Sequence, residues 1–280
     1  MTRPGDPRHL LEQAFSEDLG TAGDLTSKAL VDERRMATGA VVFKSAGRVA
    51  GLVLAGGAFR FLDSRVRFEP KTCDGADLDE GEEAAIVSGP ARSILAAERV
   101  ALNLLGRMSG IATATRQLVR AVEGTGARIS DTRKTTPGMR AWEKEAVLMG
   151  GGVNHRMGLW DAVLIKDNHL ALVGSPAEAV RRARDQTGGQ VPVIVEVSAP
   201  AELDEAAAAG PDVILLDNMT LAQMREAVRR VGGRVTLEAS GGVSPANVRR
   251  VAETGVDIIS TGWVTHSAPA VDVSLRLSGA

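Results

Sequence analysis

At 280 residues, 44% hydrophobic and 24% charged, the chain is long enough for one β/α barrel, or for a smaller barrel plus a second small domain. A net charge of −2 excludes a general nucleic-acid binder, and three Trp, five Phe and no Tyr leave few platforms for stacking bases. No apolar run reaches the roughly 18 residues of a membrane span. The polar stretch from Met1 to Phe15 has no apolar signal core, so a cytoplasmic protein that binds no membrane is expected. The single cysteine, Cys73, excludes an internal disulfide and is expected to be a small packed residue.

In chain order, Leu10 to Leu19 reads as a helix, and Val41 to Val53 alternates like a half-exposed strand. Val66 to Val87 mixes short strands with charged turns, and Ser93 to Met108 carries the apolar spacing of a long helix. A domain boundary is expected near Ser109 to Thr113, dividing residues 1–109 from 110–267. From there a unit repeats: a short apolar strand, a polar or glycine-rich turn, an amphipathic helix.

The strands are placed at Ala127 to Ser130, Ala162 to Ile165, Val193 to Val197, Val213 to Leu216, Val235 to Ala239 and Asp257 to Ser260. A helical run covers Met139 to Met149, with further helices at Pro176 to Thr187, Pro200 to Ala209, Leu221 to Val231 and Pro245 to Glu253. Non-alternating apolar strands separated by helices indicate parallel β/α architecture. The tail, residues 268–280, alternates at Val271, Val273, Leu275 and Leu277 and is expected to return as a strand to the N-terminal domain.

Each of these strands ends on a residue of chemical interest, and in a β/α barrel such ends meet on one rim. The first two deliver cations: Arg133 and Lys134 after Asp131 and Thr132, then Lys166 before Asp167, Asn168 and His169. His155 and Arg156 follow a run of three glycines between them. Five such groups point to a small, strongly anionic ligand, because Arg presents a planar fork and Lys a mobile point charge. Glu196 and Asp217 end the next two strands; they suit either magnesium held beside substrate phosphates or salt bridges to Lys134 or Lys166.

Ser240, Gly241 and Gly242, then Thr261 and Gly262, suit a phosphate cradle or simply tight strand-to-helix turns. Arg99 is either a surface arginine on its helix or an interface arginine that reaches an anion. His9 and His266 stand alone and are given no role, and Trp142, Trp160 and Trp263 are expected to pack in the core or at its rim. No Walker loop, dinucleotide fingerprint or zinc-ligand spacing is present.

The runs Asp131 to Gly138 (DTRKTTPG), Glu143 to Val147 (EKEAV), Gly150 to Arg156 (GGGVNHR) and Leu164 to His169 (LIKDNH) together resemble the quinolinate phosphoribosyltransferase family. Shorter matches extend the likeness over nearly the whole chain: Glu17 to Gly20, Gly23 to Thr26, Glu98 to Asn103, Ser109 to Thr113, Leu216 to Asn218 and Glu238 to Gly242. The chain departs from the family's pattern at Glu145, where an aromatic is usual, and at Trp263, where a small residue is usual.

The resemblance implies an N-terminal α/β sandwich domain and an incomplete, TIM-like β/α barrel, assembled as a homodimer with shared sites. The implied reaction joins quinolinate to phosphoribosyl pyrophosphate (PRPP), releasing pyrophosphate and carbon dioxide and giving nicotinate mononucleotide for NAD synthesis, with Mg2+ as cofactor. By matching position, Thr132, Arg133, His155 and Arg156 would meet quinolinate, with Arg99 from the neighbouring subunit. Lys134 and Lys166 would lie between the two substrates, and Glu196 and Asp217 would hold ribose hydroxyls or Mg2+. Ser240, Gly241 and Gly242 with Thr261, Gly262 and Trp263 would cradle the 5′-phosphate. A relative using nicotinate would have no second carboxylate, leaving Arg99 and Arg156 without a task. A catalytically silent relative would be expected to lack Lys134, Glu196 or Asp217, and all three are present.

Overall fold

The computed structural model describes residues 5–278; residues 1–4 of the polar N-terminal stretch and residues 279–280 of the tail lie outside them. The elements are α1 (Arg8–Leu19), α2 (Leu25–Leu30), β1 (Met36–Phe43), β2 (Gly47–Arg48), α3 (Leu52–Leu62), β3 (Arg67–Pro70), β4 (Asp77–Leu78), β5 (Glu83–Pro90) and α4 (Ala91–Ala121). There follow β6 (Arg128–Ser130), α5 (Arg140–Met149), β7 (Val163–Ile165), α6 (Asp167–Val173), α7 (Pro176–Thr187), β8 (Val193–Val197) and α8 (Leu203–Ala208). The last are β9 (Val213–Asp217), α9 (Leu221–Val231), β10 (Thr236–Ser240), α10 (Val248–Ala252), β11 (Ile258–Ser260), α11 (Trp263–His266) and β12 (Val273–Ser278).

Two compact units result. The first holds the chain up to Arg116, Thr136–Gly151 and the tail from Ala268; the second holds Gln117–Thr135 and Gly152–Ser267. This division differs from a single cut at residue 109, because α5 groups with the first unit.

The first unit is built on an antiparallel sheet ordered β12-β1-β5-β3, in which the tail strand β12 pairs with β1 (Val41 opposite Leu275). Phe43 and Phe59 are fully buried, each side chain contributing about 1.5–3 kcal/mol by leaving water. Gly56 lets α3 approach β3 closely: a Cβ there would meet the Phe68 ring at 2.7 Å. The single half-exposed strand expected from Val41 to Val53 is broken up: Val41–Phe43 close β1, Gly47–Arg48 form β2, and α3 begins at Leu52 after Gly51, whose φ of +93° turns the chain. Asp74 caps that start by accepting the Leu52 N–H at 3.1 Å.

The long helix also exceeds its expected span, running 31 residues and continuing through Ser109 to Thr113. Polar residues there do not break it, because Thr113 and Thr115 return their hydroxyls to the carbonyls four residues earlier, Ser109 and Ile111, at 2.7 and 2.8 Å. Gly110 and Gly106 let the tail lie against the helix; a Cβ on Gly110 would strike the Pro269 carbonyl. Cys73 is exposed rather than packed, since it sits in a turn beside Asp74.

The second unit is a parallel sheet ordered β6-β11-β10-β9-β8-β7. Strands follow one another in chain order while β11 returns beside β6, which leaves the barrel open between β6 and β7. β8 is buried at four of five positions, as a strand covered on both faces must be. Ser175 caps α7 ahead of Pro176, and Thr220 with Gln223 forms a capping box on α9. Pro200 and Pro245 introduce turns instead, so α8 and α10 begin three residues later than expected. Among the described residues no helix is long and apolar enough to cross a membrane.

Candidate active site

In-register neighbours of a parallel sheet share a face, so the pairings Asp217↔Ser240, Ser240↔Ser260 and Ser260↔Ser130 form one polar layer at the strand ends of the second unit. One step lower, Glu196, Leu215 and Glu238 are aligned. Of the sequence-identified residues, Thr132, Lys134, Ser240, Gly241, Gly242, Thr261, Gly262 and Trp263 line one cavity beside this layer.

Three segments carry the cations. Thr132 accepts the Lys134 N–H on its Oγ1 at 3.0 Å, and Thr265 donates its hydroxyl to the Lys134 carbonyl at 2.7 Å, which fixes the Lys134 backbone. The glycine run brings Val153 alongside β6, and Asp131, fully buried, accepts the His155 N–H at 2.8 Å. Arg156 follows, donating from Nη1 to the Ala162 carbonyl at 3.1 Å. Burial first, and the nearby Arg133 second, push the Arg156 guanidinium below its ordinary pKa, while Asp161 opposes the shift.

On the third segment Lys166 donates from Nζ to Glu196 Oε2 at 2.8 Å, so the salt-bridge alternative is realised here. His169 folds back to accept the Lys166 N–H on Nδ1 at 2.9 Å, which explains the spacing of the Lys-Asp-Asn-His run. Asp217 Oδ2 accepts from Asn218 Nδ2 at 3.0 Å, and Asn218 adopts a left-handed φ of +51°.

The glycine loops enclose a cavity of about 270 Å3 lined by Thr132, Lys134, Gly241, Gly262, Trp263 and His266, with Ser240 and Ser260 of the polar layer. Gly241 has φ +100°, and a Cβ there would collide with the Asn218 side chain. Gly262 has no such strain. Its hydrogen leaves room for Lys134 Cδ and the His266 ring, which a Cβ would meet at 3.0 and 2.8 Å. No hydrogen bond among the described residues occupies the N–H groups of Gly241, Gly242 or Gly262, whereas the Trp263 N–H donates to Thr261 Oγ1 at 3.1 Å. Trp263 therefore supplies a wall rather than a donor. His266, passed over in the sequence, lines this cavity; its signal was the four-residue spacing from Gly262 on a helical turn.

Arg99 is exposed on α4 in the first unit, next to Glu98, whose carboxyl is pushed up by burial against the opposing pull of Arg99. A cavity of about 300 Å3 in that unit is lined by Ala50, Leu54, Met108, Trp142, Glu145 and Met149 among others. It has no cation in its wall and does not match an anionic ligand. Trp160, expected to pack, is 73% exposed beside the exposed Leu159. Among the described residues no cluster of three or more His, Cys, Asp or Glu is arranged to hold a metal. The available carboxylates suit a cation bound chiefly through substrate oxygens.

Comparison with known proteins gives a consistent result. A family model described as the N-terminal domain of quinolinate phosphoribosyl transferase matches residues 24–109, and its C-terminal counterpart matches residues 111–276. A probable nicotinate-nucleotide pyrophosphorylase (carboxylating) of Bacillus subtilis is 43% identical, over 97% of this chain and 93% of the relative. The nicotinate-nucleotide pyrophosphorylase (carboxylating) of Mycobacterium leprae is 44% identical over 96% of each chain. The crystal structure of NadC from Streptococcus pyogenes superposes with a TM-score of 0.93 at 38% identity, covering 99% of both chains.

Proposed function

The chain belongs to the quinolinate phosphoribosyltransferase family, and from that membership we propose that it transfers the phosphoribosyl group of PRPP to quinolinate with decarboxylation. The products are nicotinate mononucleotide, pyrophosphate and carbon dioxide, a step of NAD biosynthesis. What supports this reading is that Lys134 lines the glycine-loop cavity, while the Lys166–Glu196 pair and His155, held by Asp131, stand at strand ends of the same parallel sheet.

Bringing a dicarboxylate to a polyphosphate costs on the order of several kcal/mol per close charge pair even in a partly solvated site, so neutralisation comes first. Arg133 and Arg156 take the two carboxylates, with Thr132 and His155 beside them, and the relief of their own repulsion adds to the attraction. Lys134 and Lys166 stand where the substrates meet. The Gly241, Gly242 and Gly262 N–H groups receive the 5′-phosphate, with Ser240 and Thr261 in the supporting strands and Trp263 and His266 closing the wall.

Glu196 and Asp217 face the ribose hydroxyls and would hold Mg2+ through water or substrate oxygens. When bound, Mg2+ lowers the charge on the departing pyrophosphate. As the bond from the ribose carbon to pyrophosphate breaks, the lysine ammonium groups stabilise the growing negative charge. Alkylation leaves the pyridine nitrogen positive, so the ring can hold the electron pair released with carbon dioxide, and that position then takes up a proton.

We also propose a homodimer in which Arg99 of one subunit completes the quinolinate site of the other. A cytoplasmic setting fits the lone exposed thiol of Cys73, which no disulfide uses. The test is turnover: with Mg2+, PRPP and quinolinate the purified protein should release pyrophosphate and carbon dioxide in equal amounts. Undiminished turnover of nicotinate in place of quinolinate would refute the substrate assignment.

A further inference from the structure

Glu238 sits on the central strand β10, 2% exposed, inside the barrel and one layer below the rim. Its Oε1 has no hydrogen-bond partner, an expensive arrangement for a carboxylate. The neighbouring strand places Leu215 at the same level, so packing alone does not call for an acid there. An ionisable group faces that oxygen: His155 Nε2 lies 3.4 Å from it.

The ring of His155 is held from its other side. The Arg156 N–H donates to Nδ1 at 2.8 Å, so Nδ1 is the bare nitrogen and the ring proton sits on Nε2, facing Glu238. The backbone of His155 is fixed separately by Asp131, which accepts its N–H at 2.8 Å. The imidazole thus stands between the buried carboxylate, 3.4 Å from its Nε2, and the backbone N–H of Arg156, bonded to its Nδ1.

We infer that Glu238 is a positioning residue for quinolinate recognition: it selects the Nε2-protonated form of His155, and that ring holds Arg156 in place to receive a carboxylate. The inference rests on the functional reading above. It gives the buried acid a task that the phosphate cavity does not need, since Glu238 is not among the residues lining that cavity. The effect should therefore fall on one substrate.

The test is a double-mutant cycle on the full-length protein, with calorimetric affinities for quinolinate and for PRPP and with melting temperatures. Glu238→Gln, which preserves volume, should weaken quinolinate binding about tenfold, the scale of one hydrogen bond to a charged group. PRPP affinity should be unchanged and the melting temperature not lowered. In a His155→Ala background the same substitution should add nothing. Glu238→Leu should behave alike and melt higher, because it removes an unsatisfied buried acid.

Additive effects in the cycle, unchanged quinolinate affinity, or parallel losses for both substrates with a lower melting temperature would each overturn the assignment. Failure of both Glu238 variants to fold would do the same, by making the residue structural. Wild-type protein that turns over quinolinate while the cycle is additive rejects this inference alone; wild-type protein without that turnover rejects the functional reading itself.

Discussion

Lys166 Nζ lies 2.8 Å from Glu196 Oε2, tying the ends of the adjacent strands β7 and β8. The lysine is 46% exposed and the carboxylate 10%, so the pair stands at the mouth of the barrel with one partner in water. Ion pairs of this kind add little to stability, typically about 1 kcal/mol or less. In the proposed reaction the pair would keep the cation aimed where charge develops. Lys166→Ala should lower kcat on the order of 100-fold, as loss of a transition-state donor does. Its melting temperature should stay close to wild type. A variant that keeps its kcat would remove Lys166 from the chemistry.

Gly241 joins Asn218 to the phosphate cavity: φ is +100° and the Asn218 amide fills the space a side chain would take. Gly241→Ala should cost about 1–2 kcal/mol for the left-handed backbone alone. The displaced Asn218 would also disturb Asp217, which it contacts at 3.0 Å. PRPP affinity should fall by more than tenfold while quinolinate affinity, measured without PRPP, holds. Equal losses for both ligands would show general damage instead.

Much of the barrel is legible in the chain because buried parallel strands are short, apolar and bounded by glycine. β8 spans Val193–Val197 and α9 spans Leu221–Val231, both as read from the sequence. The N-terminal unit is less legible because tertiary packing decides it. Nothing local marks Leu52 as a helix start, since its cap comes from Asp74, 22 positions away. The glycines past which α4 runs on, Gly106 and Gly110, answer to the distant tail at Val271 and Pro269. Within the site, the cations are conspicuous as sequence. The role of His169 as a backbone acceptor is a local three-residue contact, whereas the approach of His155 to Glu238 depends on a chain path that no spacing encodes.

Asp63 links the end of α3 to the start of α4: it accepts from Arg65 and from the Ser93 hydroxyl, and these bonds hold its carboxyl well below the ordinary carboxylate pKa. A carboxyl with a depressed folded pKa stabilises the protein above the unfolded value of about 4, and that stability is lost as pH falls below it. Asp63→Asn should therefore flatten the decline of melting temperature between about pH 4 and pH 2. An unaltered acid slope would show that the link makes no contribution.

Arg99 belongs to the first unit and, in the proposed dimer, serves the partner's barrel. Arg99→Ala and Lys134→Ala proteins should each be inactive. Mixed and allowed to exchange subunits, they should regain about a quarter of wild-type activity, because one site in each mixed dimer keeps both residues. No recovery after verified exchange would place Arg99 outside a shared site.

The most direct measurement is the calorimetric affinity of the protein for quinolinate and for nicotinate, before and after Arg156→Ala. The account predicts that quinolinate binds much more tightly than nicotinate. The substitution should remove about 2–5 kcal/mol from quinolinate alone, the cost of leaving a charge of the pair unmatched. Equal affinities for the two pyridines, or a quinolinate affinity untouched by loss of Arg156, would contradict it.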